Sequence, residues 1–179
     1  MLKIEDKYKV LINKAIDYMS NISDFEHDIN HVMDVVDYTY KLLGKVDGVD
    51  KDVCIISAYW HDVGRIKINE GHEKLSADML RDEMVKLKYG ELFIDKCCKA
   101  IEKHKWNMLP ETKEGLIIRD ADKLAFLGIR RWKNCIEHNK RLDEIVNLLP
   151  KLRNEILYFD ESRKLYDESI IELLKLLYF

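Results

Sequence analysis

The chain has 179 residues, 47% hydrophobic and 35% charged, with a formal net charge of −3. That length suits one hydrophobic core and is short for two, so a single domain over residues 1–179 is expected. Apolar and charged residues interleave at three- and four-residue steps, which excludes a disordered or fibrous chain and indicates an all-α one.

The near-neutral charge balance leaves no electrostatic footprint for nucleic acid or an anionic membrane, so neither is expected as a partner. The N-terminal stretch MLKIEDKYKV is charged throughout, and no later segment reaches the roughly eighteen apolar residues of a spanning helix. The expected location is the cytoplasm. Cys54, Cys97, Cys98 and Cys135 show no C-x-x-C spacing, and three of them fall in apolar helical stripes, as reduced core thiols do.

Taken in order, residues 3 to 20 repeat Ile4, Tyr8, Leu11, Ala15, Ile16 and Met19 at the spacing of one helical face. Ser23 or Asp24 offers a cap for a second helix from about residue 28 to Leu43, closed by Gly44. On it His31 shares a face with Val35, Tyr38 and Leu42. A third helix, roughly 50 to 62, contains the uncharged run Val53 to Trp60, which has no polar face and must be buried all round. His61 and Asp62 end that run, and Gly64 is expected to close the helix as a left-handed residue. An ionisable pair in such a place must be bonded or metal-bound.

A fourth helix puts His72, Leu75, Ser76, Met79 and Leu80 on one stripe, and a fifth, from about Gly90, lines up Phe93, Cys97, Ala100, Ile101 and His104. Trp106 to Pro110 reads as a loop. The sixth helix sets Asp122 among Ile118, Ala125 and Phe126. Beyond it, Cys135 to Leu149 and Ile156 to Leu177 hold further helical pattern, interrupted by Pro150 and by the charged stretch from Asp160 to Lys164. The apolar C-terminal pattern (Ile170, Ile171, Leu173, Leu174, Leu176, Leu177) either closes the core or makes a homodimer. His138 lies among polar neighbours, as exposed residues do.

A lone inward histidine is usually a hydrogen-bonded core residue. Here His31, His61, His72 and His104 lie on or beside the inward faces of different helices, with His27 nearby and Asp62 and Asp122 among them. Backbone groups already used in helices cannot satisfy them all, so a shared cation is the economical explanation, built as helical proteins build metal sites. Imidazole and carboxylate without thiolate suit manganese, iron, cobalt, nickel or zinc, with magnesium admissible, and disfavour calcium. Asp120 and Asp122 diverge by about 200° on a helix, so at most one of them reaches the same ion.

The ordered set His31, His61-Asp62 and Asp122, with the contexts His27-Asp28-x-x-His31, His61-Asp62-Val63-Gly64-Arg65, Gly71-His72 with Ser76-Ala77, Ile101-x-x-His104 and Asp120-Ala121-Asp122-x-Leu124, resembles the H…HD…D signature of the HD-domain metal-dependent phosphohydrolases. The resemblance covers about residues 23–132 and leaves 133–179 as additional C-terminal helices. It implies a helical bundle of the HD type in which His31, His61, Asp62 and Asp122 hold one metal. His72 and His104, with His27 as a further candidate, would take a second ion or grip phosphate. One departure is Asp34, where close relatives often carry arginine.

The implied reaction is hydrolysis of a phosphoester or phosphoanhydride bond in a nucleotide or other small phosphorylated molecule. Asp62 would ligate the metal and orient its water. Arg65, Lys123 and a protonated His72 or His104 would stabilise the phosphoryl charge. Two alternatives remain open: a two-iron oxygenase that uses His72 and His104 for its second iron, and a non-catalytic helical module stabilised by a metal.

Overall fold

Val53 to Trp60 is buried at every position, and the other helices are laid around it. The computed structural model describes residues 4–22, 24, 26–137 and 142–178, and among these it has no strand. Its helices are α1 Ile4–Lys7, α2 Lys9–Met19, α3 Ile29–Leu43, α4 Lys51–Trp60, α5 His72–Lys86, α6 Glu91–Ile101, α7 Lys113–Ala125, α8 Ile129–Glu137, α9 Leu142–Lys151 and α10 Asp160–Tyr178. A 3-10 turn, Val63–Ile66, follows α4, and a π turn, Leu152–Ile156, follows α9. The all-α expectation is met. Ser23, His138 and the side chain of Cys135 lie outside what is described.

Helix α4 is the hub, packed against α2, α3, α6 and α7. An uncharged helix has no face that water can solvate, so it gains most by being covered on every side. Its few polar groups find partners within the core. The Trp60 Nε1–H donates to the Leu11 carbonyl at 3.2 Å, and the Ser57 hydroxyl to that of Cys97 at 3.1 Å. Asp50 caps its start by accepting from the Val53 N–H.

Several local expectations need correction. The first helical stripe is broken at Tyr8, between α1 and α2. The cap of α3 is Asp28, whose carboxylate accepts from the Asn30 and His31 N–H groups at 2.9 and 3.0 Å. Asp24 instead accepts from the Glu26 N–H and the His27 ring. Pro150 lies inside α9 near its end rather than interrupting the pattern, and a π turn follows. Asp160 to Lys164 opens α10 rather than interrupting it: Asp160 and Glu161 sit in the first turn, where carboxylates complement the helix dipole. The helix α8 begins at Ile129, six residues before the pattern suggested.

Gly64 is not left-handed; the glycines with positive φ are Gly48 and Gly71. Its role is close approach. A Cβ built there would lie 2.4 Å from the His72 carbonyl oxygen and 2.9 Å from the Ser76 nitrogen. The Gly64 N–H donates to the Ser76 hydroxyl at 2.8 Å, so the 3-10 turn is welded to the first turns of α5.

At the other end of the chain α10 packs on α7 and α8. Leu173 is buried while Ile171 and Leu174 are exposed, so Leu173 puts one edge of the C-terminal stripe into the core; the side chains of Leu176 and Leu177 lie outside what is described. No described helix is long and apolar enough to cross a membrane.

Two outcomes follow from this packing. Gly64→Ala should cost about 1–3 kcal/mol through forced backbone shifts and lower the melting temperature, and an unchanged thermal denaturation curve would refute the close approach. Cys54, Cys97 and Cys98 are buried and unpaired, and burial pushes all three thiols up, Cys98 to about 11. An aromatic disulfide reagent at neutral pH should leave these three unmodified in native protein and label them after denaturation, as read by peptide mapping.

Candidate metal centre

Five segments deliver the polar side chains to one point. His31 comes from the first turn of α3, held by the Asp28 cap. His61 is the C-terminal cap of α4. Asp62 has left the helix, with φ −108° and ψ 4°, which lets two adjacent side chains face the same place although neighbours within a helix diverge by about 100°. His72 opens α5 behind the left-handed Gly71, His104 lies just past α6, and Asp122 lies on α7 against α3.

The distances describe two adjoining groups that share Asp62. Around Oδ2 of Asp62 stand the Nε2 atoms of His31 and His61, at 3.7 and 3.6 Å, with 3.3 Å between them. Asp122 Oδ1 lies 3.2 Å from His31 Nε2. Around Oδ1 of Asp62 stand the Nε2 atoms of His72 and His104, at 3.0 and 3.5 Å, with 3.4 Å between them. His31, His61, Asp62, His72 and His104 are all nine-tenths or more buried.

Ring orientation decides what these nitrogens offer. The Nδ1 atoms of His61, His72 and His104 face the carbonyls of Ala58, Asn69 and Ile101 at 2.8, 2.7 and 2.8 Å. A carbonyl only accepts, so each Nδ1 carries the proton and, on a neutral ring, Nε2 is left with a lone pair. On neutral rings, three such lone pairs point at one another and at carboxylate oxygens, an opposition that a bound cation relieves. Burial pushes the His61 pKa down to about 3, so that ring stays neutral at physiological pH. Burial works to raise the carboxyl of Asp62, but the surrounding rings of His61, His104 and His72 and the Arg65 guanidinium outweigh it and hold the group well below its usual range. Asp122 is held down in the same way by Lys123 and His31 against the effect of burial.

The residues therefore fit a metal. The donors are two anionic carboxylates and a set of imidazole lone pairs, with no thiolate. Asp62 Oδ1 and His31 Nδ1 are buried without a hydrogen-bond partner. His31, His61 and Asp122 form one cluster able to hold an ion, and His61, Asp62 and His104 a second, with the ligand atoms of each within 4.8 Å of one another.

Other named residues fall into place around this centre. Arg65 and Lys123 are not solvated surface charges: both side chains are mostly covered, Arg65 Nε lies 2.8 Å from Asp62 Oδ2, and Lys123 pairs with Asp122. Each braces one carboxylate. His27 does not join the cluster; it is hydrogen-bonded to Asp24 at 2.7 Å, with its ring edge-on to His31. Asp120 points away from Asp122, as the helical angle required, and accepts from the Tyr158 and Phe159 N–H groups at 3.0 Å. Asp34 pairs with Arg130 at 3.1 Å.

Sequence reading missed Glu73 and Lys105. Glu73 is buried beside His72, its Oε2 3.5 Å from the ring and 3.1 Å from Lys105 Nζ. The only signal was position, each directly following a site histidine, and adjacency along a helix predicts divergence rather than contact.

The HD domain model matches residues 28–127, more than half of the chain, and no curated protein matches it significantly. Two solved structures share the fold. One is described as a predicted HD superfamily hydrolase from an uncultured Thermotogales bacterium, with TM-score 0.71 and 19% identity over 94% of this chain and 88% of that one. The other is YpgQ of Bacillus subtilis, solved in complex with ADP, with TM-score 0.69 and 20% identity over 98% of this chain and 95% of that one. Family model, helical architecture and the clustered His31, His61-Asp62 and Asp122 agree, and the chain belongs to the HD-domain family.

Proposed function

We propose that the protein is a metal-dependent phosphohydrolase acting on a nucleotide or similar small phosphorylated molecule. Family membership supports the hydrolase. The observation that carries the reading is the gathering of imidazole nitrogens and carboxylate oxygens around Asp62, an arrangement that bound cations would reconcile. The ADP bound to the similarly folded YpgQ supports a nucleotide as substrate.

His31, His61, Asp62 Oδ2 and Asp122 would hold one divalent ion, and His72, His104 and Asp62 Oδ1 a second. An ion so bound lowers the pKa of its water toward neutrality and supplies hydroxide. The chain's own groups do the rest. Ala58, Asn69 and Ile101 carbonyls fix the rings, so no imidazole must reorient when substrate arrives. Arg65 and Lys123 hold Asp62 and Asp122 as carboxylates. They also place two positive charges where phosphoryl oxygens gain negative charge during attack. Lys105 beside Glu73 adds a third cation near His72. These cations favour an anionic substrate.

Protein stripped with a chelator and reloaded with manganese, magnesium, cobalt or nickel should release phosphate or pyrophosphate from some member of a nucleotide panel. Asp62→Ala should lower kcat/KM by at least about a thousandfold, the scale of losing a water-activating metal ligand. Failure of every metal to support turnover, or equal rates for wild type and variant, would sink the reading. Raised melting temperature on metal addition without turnover would instead identify a metal-stabilised module. In elemental analysis, His72→Ala with His104→Ala should halve the metal content of the folded protein, and unchanged content would exclude the second ion.

A further inference from the structure

An apolar slot opens beside the centre. It is a cavity of about 160 Å³ lined by Trp106, Lys123, Phe126, Leu148, Leu152 and Ile156. Lys123 belongs to both places, since its ammonium pairs with Asp122 and the residue lines the slot. Five of the six lining residues are apolar, and two are aromatic. A cavity of about 150 Å³ already accommodates a benzene ring, and this one is open on one side.

The slot is built rather than incidental. Its two walls come from distant parts of the chain, the Trp106 loop and the π turn Leu152–Ile156, and one buried guanidinium ties them together. Arg119 donates to the Ile156 carbonyl at 2.8 Å and to that of Trp106 at 3.2 Å. Phe126 meets Trp132 edge-to-face, with ring centroids 5.9 Å apart, and the Arg131 guanidinium lies over one face of its ring at 4.9 Å, leaving the other for a ligand. The Trp132 Nε1–H donates to the Phe126 carbonyl at 2.8 Å. Trp106 is 47% exposed, a large apolar surface left uncovered. Lys151 lies over its ring at 5.3 Å and lines a neighbouring recess rather than the slot.

We infer that this slot is the base-binding subsite, in which Trp106 and Phe126 receive the flat ring of a nucleobase while the phosphates reach the centre past Lys123. The inference rests on the phosphohydrolase reading and narrows its substrate to nucleotides over sugar phosphates or bare polyphosphates. An aromatic face accepts any base because every base has a π face, so the subsite selects for the presence of a base more than for its identity.

The test separates the subsite from the chemistry. Trp60 and Trp132 are 0% and 1% exposed, so Trp106 is the accessible tryptophan, and stacking on it should quench part of the intrinsic fluorescence. In the manganese-loaded wild type, nucleoside triphosphates should quench and tripolyphosphate, which has no base, should not; Trp106→Leu should abolish the quenching. Trp106→Leu should also raise KM for nucleotides about tenfold, the scale of one lost base–aromatic stack. KM for tripolyphosphate should stay within about twofold, and Trp106→Phe should recover most of the nucleotide affinity. Absence of quenching by every nucleotide, or an equal KM change for tripolyphosphate, would overturn the subsite while leaving the hydrolase reading intact. Quenching without turnover would uphold the subsite and overturn the hydrolase.

Discussion

The structure depends on three short hydrogen bonds, from the rings of His61, His72 and His104 to backbone carbonyls three residues earlier in the chain. Each uses the Nδ1 proton and so, on a neutral ring, leaves Nε2 as a lone pair. The Ala58 carbonyl lies in the last turn of α4, where helix geometry leaves the final carbonyls without an amide four residues on, and the Ile101 carbonyl ends α6, accepting from the His104 backbone N–H at 3.2 Å as well as from its ring. A helix end is therefore used twice: its terminal carbonyl accepts from a histidine ring, and that histidine is thereby oriented as a donor to a cation.

Such a site needs an unusually firm frame, because imidazole lone pairs and two carboxylates gathered in the core repel one another. The frame is α4, buried from Val53 to Trp60, with Asp62 at its end braced by Arg65 and the 3-10 turn locked to α5 through Gly64 and Ser76. Packing that tolerates no added methyl at Gly64 leaves the His72 ring little freedom to drift away from the cluster. Stability of the apo-protein is thereby opposed by the same groups that would bind metal, a conflict expected at functional sites.

The C-terminal region connects to this centre through α7. Asp122 faces α3, while Asp120, nearly half a turn round the other side, anchors the N–H groups of Tyr158 and Phe159, and Arg119 holds Ile156 and the Trp106 carbonyl. One helix thus carries a candidate ligand on one face and the fastening of residues 156–159 on another. The placement of α10 and the shape of the slot beside Lys123 are coupled to the position of Asp122 by a single rigid element.

What was legible in the sequence was whatever follows from periodicity and from the ordered His31, His61-Asp62, Asp122 set: an all-α chain, a helix buried on every side, a histidine on each of several inward faces, and the impossibility of Asp120 and Asp122 serving one ion. These depend on local geometry, in which 3.6 residues per turn fixes which side chains share a face. Tertiary structure decided the rest. It sent Asp62 out of the helix so that two neighbours could converge, and it turned Arg65 and Lys123 inward. It made Gly64 a point of contact rather than a left-handed stop, and it set Trp106 against a π turn some fifty residues away. Those outcomes depend on where separate helices cross, and crossing is set by packing between residues far apart in the chain, which no local pattern records.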